Sequence, residues 1–187
     1  MPDEEHGYFH TDNVFYISEF DKDMTDYLVI PFYRAIAEQA KLDDGHIDMY
    51  VNSYGGDTHL AFHLVSMMEM AKAHGVLVRT IVTDTAMSSG SIVSVAGTPG
   101  ERYVAKDASL LVHYGFIYSG EVSTPLQVRR NREYHETHFK HILKHYQKYC
   151  KIPDLEDKMN DDNYYITGMQ AKRWGMADKF LDKFLLP

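Results

Sequence analysis

Residues 85–91 read TAMSSGS. Two polar residues separate them from the apolar run VLVRTIV of residues 76–82. A second apolar segment, IVSVAG, comes next at residues 92–97. A β-branched run, then small residues, then a short apolar segment is typical of a strand, a tight turn and a buried helix. A serine at such a turn can expose its hydroxyl where the first free N–H groups of the helix also point. The stretch therefore predicts a strand–turn–helix unit whose turn presents serine hydroxyls.

The serine turn is close to a known nucleophile pattern. Residues 86–90 (AMSSG) differ by one methyl group from G-x-S-x-G, the turn that exposes the nucleophile of many hydrolases. Serines cap helices without any catalytic role more often than they catalyse, so capping is the alternative. From the residues alone, Ser88, Ser89 and Ser91 are all candidate nucleophiles.

Two other segments could carry related chemistry. Residues 48–57 (DMYVNSYGGD) predict a strand that ends in a Gly-Gly turn, and an apolar stripe of helical period follows over residues 60–71. Two glycines permit a positive φ and leave the backbone bare enough for a ligand to approach. Residues 110–115 (LLVHYG) predict a strand with His113 near its end. An ordinary turn and a hydrogen-bonded core histidine are the alternatives.

Taken together and in this order, these segments resemble the proteolytic subunit of the caseinolytic proteases, the ClpP family. Residues 52–56 (NSYGG) are similar to the family's Asn-Ser-Pro-Gly-Gly turn, and residues 86–91 (AMSSGS) to its Ala-Ala-Ser-Met-Gly-Ala/Ser turn. Residues 111–113 (LVH) are similar to its Met-Ile-His motif. Residues 171–178 (AKRWGMAD) resemble its terminal Ala-x-x-Tyr-Gly-Leu-x-Asp signature. The resemblance covers nearly the whole chain.

The resemblance implies an α/β fold, a ClpP/crotonase-like spiral of β-β-α crossover units with a projecting handle helix. One domain over residues 1–187 is expected, because a chain of this length that is 44% apolar can bury its own core. Thr124, Pro125 and Gln127 predict the start of a helix that runs to about residue 150, where the resemblance places the handle.

The predicted handle helix carries an apolar stripe from Tyr134 to Tyr146 at intervals of three and four residues. We expect this stripe to be exposed and to form an interface. Histidines 135, 138, 141 and 145 follow the same spacing, which metal ligands can exploit. No cysteine accompanies them, so we assign these histidines to the interface and predict no metal site.

The resemblance further implies a serine endopeptidase in which Ser88 is the nucleophile and His113 is its base. A serine hydroxyl becomes a good nucleophile when an imidazole takes its proton, and the imidazole needs an acid to hold its tautomer. The backbone N–H groups of Gly56 and Ser89 are expected to form the oxyanion hole. An extended peptide substrate is expected to bind beside the Gly-Gly turn, in contact with Gly55, Gly56, Tyr114 and Gly115.

The acid of the triad is expected at Asp162. Counting forward from His113 favours Asp162, whereas counting back from Ala171 without a gap gives Asn163. Asp161 is a further alternative. An asparagine can orient a histidine, but it cannot stabilise an imidazolium as a carboxylate does.

The charge and composition of the chain exclude several classes of binding partner. A net charge of −8 without a basic cluster argues against nucleic acid. No apolar run approaches the roughly 20 residues of a membrane span. The single cysteine fits a reducing compartment, and the acidic start of the chain is unlike a signal peptide. We expect a cytoplasmic protein without a cofactor that acts on peptides or unfolded proteins.

By resemblance, the subunits form heptameric rings, and two rings meet through the handles as a tetradecamer that encloses the active sites. About thirteen residues precede the first predicted strand, fewer than in ClpP, which puts an axial gate and a Clp ATPase partner in doubt. Two alternatives remain from other classes of function: a non-catalytic ring subunit of the same fold, and a crotonase-type acyl-CoA enzyme.

Overall fold

A computed structural model of the chain describes residues 8–115, 124–160 and 163–183. Within these residues an eight-stranded sheet is packed against helices, which confirms the predicted α/β class. The strands are β1 (Tyr8–His10), β2 (Val14–Ile17), β3 (His46–Ser53), β4 (Leu77–Met87), β5 (Arg102–Val104), β6 (Ser109–Val112), β7 (Tyr164–Thr167) and β8 (Lys179–Phe180). The helices are α1 (Ile30–Gln39), α2 (Thr58–Ala73), α3 (Ser89–Ser94), α4 (Pro125–Tyr149), α5 (Leu155–Asn160) and α6 (Gly168–Arg173).

The sheet is mainly parallel, as expected when strands alternate with helices. Strands β2, β3, β4, β5 and β8 lie side by side in parallel, and β1 pairs antiparallel with β2 at one edge. On the edge away from β3, strand β4 pairs with two different strands. Its residues 80–82 pair with β5, and its residues 85–87 pair with β6. Strand β7 then pairs antiparallel with β6. Ser88 and His113, each the first residue after its strand, therefore lie at the carboxyl ends of two adjacent parallel strands.

The first helical segment has two parts. A π-helical turn, Thr25–Val29, leads into α1, whose first turn contains Pro31. Proline has no N–H, so a regular ladder of α-helical hydrogen bonds cannot pass through this position. From the sequence alone, residues 24–40 predict a helix that Pro31 kinks or causes to start late. The structure agrees, because the regular α-helix begins only at Ile30.

The core lies between the sheet and its helices. Phe15 of β2 packs edge-on against Phe32 of α1, with ring centroids 5.1 Å apart. The apolar stripe of α2 faces the core as its period predicts, since Ala61, Leu64 and Met68 are fully buried. None of the helices in the described ranges is long and apolar enough to cross a bilayer.

Helix α4 begins as the sequence predicts. The Thr124 side chain accepts a hydrogen bond from the Gln127 N–H, and the Gln127 side chain accepts one from the Thr124 N–H at 2.7 Å. Pro125 occupies the first turn, where a missing N–H costs nothing. This reciprocal capping stabilises a helix start whose residues, from 124 to 134, are all exposed.

The second half of α4 packs on the rest of the chain, so the prediction of an exposed stripe as far as Tyr146 is wrong. Ile142 and Tyr146 are each 1% exposed. The placement of His145 at a surface interface is also wrong, because this side chain is buried and donates to the Ile92 carbonyl oxygen at 2.8 Å. His141 stacks on Phe62 of α2, with ring centroids 4.2 Å apart. Among the described residues, no three His, Cys, Asp or Glu side chains are placed to hold a metal ion.

Candidate active site

Ser88 forms the turn between β4 and α3 in an unusual backbone conformation. Its φ is 51° and its ψ is −121°, and in the described ranges only Asp154 is another non-glycine residue with a positive φ. Such a conformation costs on the order of 1–3 kcal/mol and persists only where neighbouring contacts hold it. The Ser88 N–H donates to the Leu111 carbonyl at 3.1 Å, and its own carbonyl accepts from the N–H groups of Ser91 and Ile92. The turn is therefore held on both sides.

Ser88 and His113 are in direct contact. The His113 Nε2 atom lies 2.8 Å from the Ser88 Oγ atom. The β4–β6 register, which pairs Met87 with Leu111, brings the two strand ends together. With the proton on Nδ1, the imidazole accepts the serine hydroxyl through Nε2, and it is then placed to remove the hydroxyl proton.

The two rival serines point elsewhere. Ser89 and Ser91 are fully buried. Ser89 Oγ donates to the Gly56 carbonyl at 2.8 Å, and Ser91 Oγ lies 2.8 Å from the carbonyl oxygen of Ser88. Of the three candidates, Ser88 is the one whose hydroxyl contacts an imidazole in the described part of the chain.

The Gly-Gly turn presents its backbone beside Ser88. Phe20 bridges to Gly56, and the bridge uses the Gly55 carbonyl and the Asp57 N–H but not the Gly56 N–H. The N–H of Ser89 is likewise outside any helical ladder, because Ser89 is the first residue of α3. Two such N–H groups near a nucleophile can bind an anionic oxygen.

Ser88 and His113 open into a groove of about 500 Å³. Three of the residues predicted to contact substrate, Gly56, Tyr114 and Gly115, line this groove. The fourth, Gly55, lies against the Ser88 side chain.

The opposite wall of the groove was missed by sequence reasoning. It consists of the first turn of α2 and one face of α4, including His59, Tyr134, His135 and His138. Helical spacing placed the α4 residues on one face but could not indicate that this face borders the groove. For these α4 residues, the common helix face was the only indication that the sequence offered.

Hydrogen bonds order this wall. The Tyr134 hydroxyl lies 2.7 Å from His59 Nε2, and the Thr58 hydroxyl lies 2.9 Å from His138 Nε2. Burial, together with the nearby imidazoles of His59, His141 and His135, lowers the pKa of His138 below its usual value. This shift favours the neutral form of the His138 ring, which carries no positive charge into the groove.

The expected acid, Asp162, and the alternative Asp161 lie outside the described residues. Asn163 is described and is exposed immediately before β7. The β6–β7 register pairs Val112 with Tyr164, so His113 and Asn163 are the next residues along their two strands.

Comparison with known proteins gives one family and several distant relatives. The model of the family described as Clp protease matches residues 6–184. The chain is 28% identical over 170 residues to the ATP-dependent Clp protease proteolytic subunit 2 of Bacillus licheniformis, covering 88% of this chain and 83% of that protein. It is also 28% identical over 189 residues to the ATP-dependent Clp protease proteolytic subunit of Porphyromonas gingivalis, covering 91% and 81%.

Proposed function

Because this chain belongs to the Clp protease family, we propose that it is a serine endopeptidase that cuts peptides or unfolded proteins within a ring-shaped oligomer. The observation that carries the proposal is the 2.8 Å contact between Ser88 Oγ and His113 Nε2 at the mouth of a groove. The strained backbone of Ser88 supports it, since strain of this kind is concentrated at functional turns.

In the proposed reaction, His113 takes the proton of the Ser88 hydroxyl while the Ser88 oxygen attacks the scissile carbonyl carbon. The N–H groups of Gly56 and Ser89 bind the oxyanion that forms. The imidazolium of His113 then protonates the leaving amine, and a water molecule hydrolyses the resulting acyl-enzyme by the reverse sequence. The proposed reaction requires no metal and no organic cofactor.

The proposed third member of the triad is Asp162, which would accept a hydrogen bond from His113 Nδ1–H. A carboxylate there stabilises the imidazolium that forms during the reaction. Asn163 is the alternative that the strand register favours, because it immediately precedes Tyr164, which pairs with Val112, and so lies opposite His113 at the end of the β6–β7 ladder.

The substrate is proposed to bind as an extended chain. The Gly55–Gly56 backbone would pair with it, and Tyr114 and Gly115 would line the opposite side of the scissile bond. A groove that admits one extended chain selects peptides and unfolded proteins over folded ones.

The proposed oligomer relies on the exposed first half of α4. Leu126 and Val128 are 50% and 56% exposed there, although both are apolar. The relatives are named as proteolytic subunits, which fits a chain that acts within an assembly. We propose heptameric rings that meet in pairs through this half of α4.

The two alternatives are less well supported. A non-catalytic ring subunit would have no need of the strained Ser88 turn or of its contact with His113. An acyl-CoA enzyme of the crotonase type is disfavoured by the match of residues 6–184 to a protease family.

Labelling with a fluorophosphonate, which reacts with activated serines, tests the proposal. The wild-type protein should be labelled and should hydrolyse fluorogenic peptides, whereas Ser88→Ala and His113→Ala should lose at least about 1,000-fold in rate. Ser94→Ala is the matched control, since Ser94 is a buried serine of the same helix whose hydroxyl bonds a helix carbonyl. A folded wild-type protein that is neither labelled nor active would indicate the non-catalytic subunit. Full labelling of Ser88→Ala would overturn the nucleophile.

A further inference from the structure

Ser91 lies at the meeting point of three buried groups beneath the nucleophile turn. Its Oγ atom is 2.8 Å from the carbonyl oxygen of Ser88 and 2.8 Å from that of Leu111, and it contacts the hydroxyl of Tyr146. Ser91 is 0% exposed and Tyr146 is 1% exposed, so these polar groups must satisfy one another.

The direction of these hydrogen bonds follows from counting protons. A carbonyl oxygen only accepts, so the single hydroxyl proton of Ser91 is donated to Ser88 or Leu111. With that proton placed on a carbonyl, we assign the buried Tyr146 hydroxyl as the donor of its contact with Ser91 Oγ. Burial raises the pKa of Tyr146 although its bond to Ser91 acts in the opposite direction, so this hydroxyl stays protonated and remains a donor. The result is a directed chain from α4 through Ser91 to the backbone of the active site.

The two carbonyls at the end of this chain belong to the segments that carry the nucleophile and the base. Ser88 has a strained backbone, with a φ of 51°. The Leu111 carbonyl, two residues before His113, also accepts the Ser88 N–H at 3.1 Å. Ser91 therefore links the serine turn to the histidine strand at the point where their relative position sets the Ser88–His113 distance.

We propose that Tyr146 is a positioning residue, which acts through Ser91 to hold the Ser88 turn against the strand that carries His113. The inference rests on the proposed function. Tyr146 touches neither the groove nor the reacting atoms, and its effect on the reaction is confined to the geometry of the attack. Loss of its hydroxyl should therefore change the rate of serine acylation and leave substrate binding unchanged.

The test is Tyr146→Phe, which removes one hydroxyl and keeps the ring. We expect kcat and the fluorophosphonate inactivation rate to fall about tenfold, with KM changed less than about twofold, because misplacement of a nucleophile affects only the transition state. Ser91→Ala should give a similar fall. The double variant should be no worse than either single variant, since both remove the same chain of hydrogen bonds.

Tyr149→Phe is the matched control. Tyr149 lies on the same helix and its hydroxyl is also hydrogen-bonded, but to Glu69 and Lys148 rather than toward Ser88. An equal fall in kcat for Tyr149→Phe would show general loosening of α4 and would overturn the inference. Wild-type kcat in either a folded Tyr146→Phe protein or a folded Ser91→Ala protein would also overturn it, since Tyr146 is proposed to act through Ser91. Neither result touches the proposed function, which fails only if the wild-type protein is inactive or Ser88→Ala is active. If Tyr146→Phe does not fold, Ser91→Ala alone decides.

Discussion

A Cβ atom added to Gly55 would lie 2.7 Å from the Cβ atom of Ser88 and 3.3 Å from its Oγ atom. Gly55 therefore lies directly against the Ser88 side chain, and any residue with a Cβ atom at position 55 would force one of the two to shift. Gly55 also has a φ of +112°, which side chains other than hydrogen rarely allow.

We predict that Gly55→Ala lowers kcat for peptide hydrolysis by about 100-fold or more, because Ser88 must move away from His113. Gly75→Ala separates this contact from backbone strain, since Gly75 has a φ of +81° but nothing within 4 Å of an added Cβ. The Gly75→Ala variant should lose about 1 kcal/mol of stability and keep wild-type activity. Circular dichroism and peptide hydrolysis measure both effects, and equal activity losses in the two variants would contradict the steric explanation.

The identity of the acid can be decided by a ranking of variants. If Asp162 orients His113, Asp162→Asn should lower kcat by about 10⁴-fold with little change in stability. Asn163→Ala and Asp161→Asn should be much milder. The opposite ranking, with Asn163→Ala the most damaging, would establish a triad that ends in asparagine and would agree with the register of β6 and β7.

The first half of α4 should govern assembly. We predict that replacing both Leu126 and Val128 with aspartate lowers the mass of the particle measured by light scattering, because charge would replace the apolar contact between rings. Leu42→Asp is the control, since Leu42 is 54% exposed but lies outside α4. An unchanged mass for the α4 double variant would show that assembly, if present, uses another surface.

His145 should make stability depend on pH in a predictable direction. Burial lowers its pKa from 6.5 to about 4, although its bond to the Ile92 carbonyl acts in the opposite direction. The unfolded chain takes up a proton below about pH 6.5 and the folded chain does not, so stability falls as the pH drops from 6.5 toward 4. The expected loss between pH 7 and pH 5 is on the order of 2 kcal/mol.

Denaturant unfolding at pH 7, 6 and 5 measures this loss. His145→Gln keeps a donor for the Ile92 carbonyl and cannot titrate, so its stability should vary less with pH than that of the wild type. His63→Gln, at an exposed position of α2, should keep the wild-type slope. A His145→Gln protein with the wild-type slope would exclude His145 as the source.

Sequence reasoning succeeded where the determinants are local. Local patterns in the sequence predict strands over residues 14–17 and 102–104, and β2 and β5 have these bounds. The capping box that Thr124 and Gln127 predict is also present. Strand β4 continues past the predicted end at residue 82, because residues 85–87 pair with β6, a partner that no local pattern reveals.

Local patterns are limited in the same way at the candidate active site, because they do not reveal tertiary contacts. The turn at Ser88 was predictable from its small residues, but the choice among the three serines depends on which hydroxyls are buried against backbone carbonyls. Helical spacing also showed that Tyr146 and Ile142 share a face of α4, yet it could not show that this face packs inward. Burial is a property of the whole fold, so a repeat within one helix does not determine it.

The start of α4 is ordered by interactions within its own chain. Besides its cap, ion pairs join Arg129 to Glu133 and Arg132 to Glu136. Nucleation, the costly step for an isolated helix, is already supplied by the buried second half, so the first half needs only propagation. A second subunit would therefore meet a preformed rigid surface, and its association rate would be set by collision and orientation rather than by coupled folding.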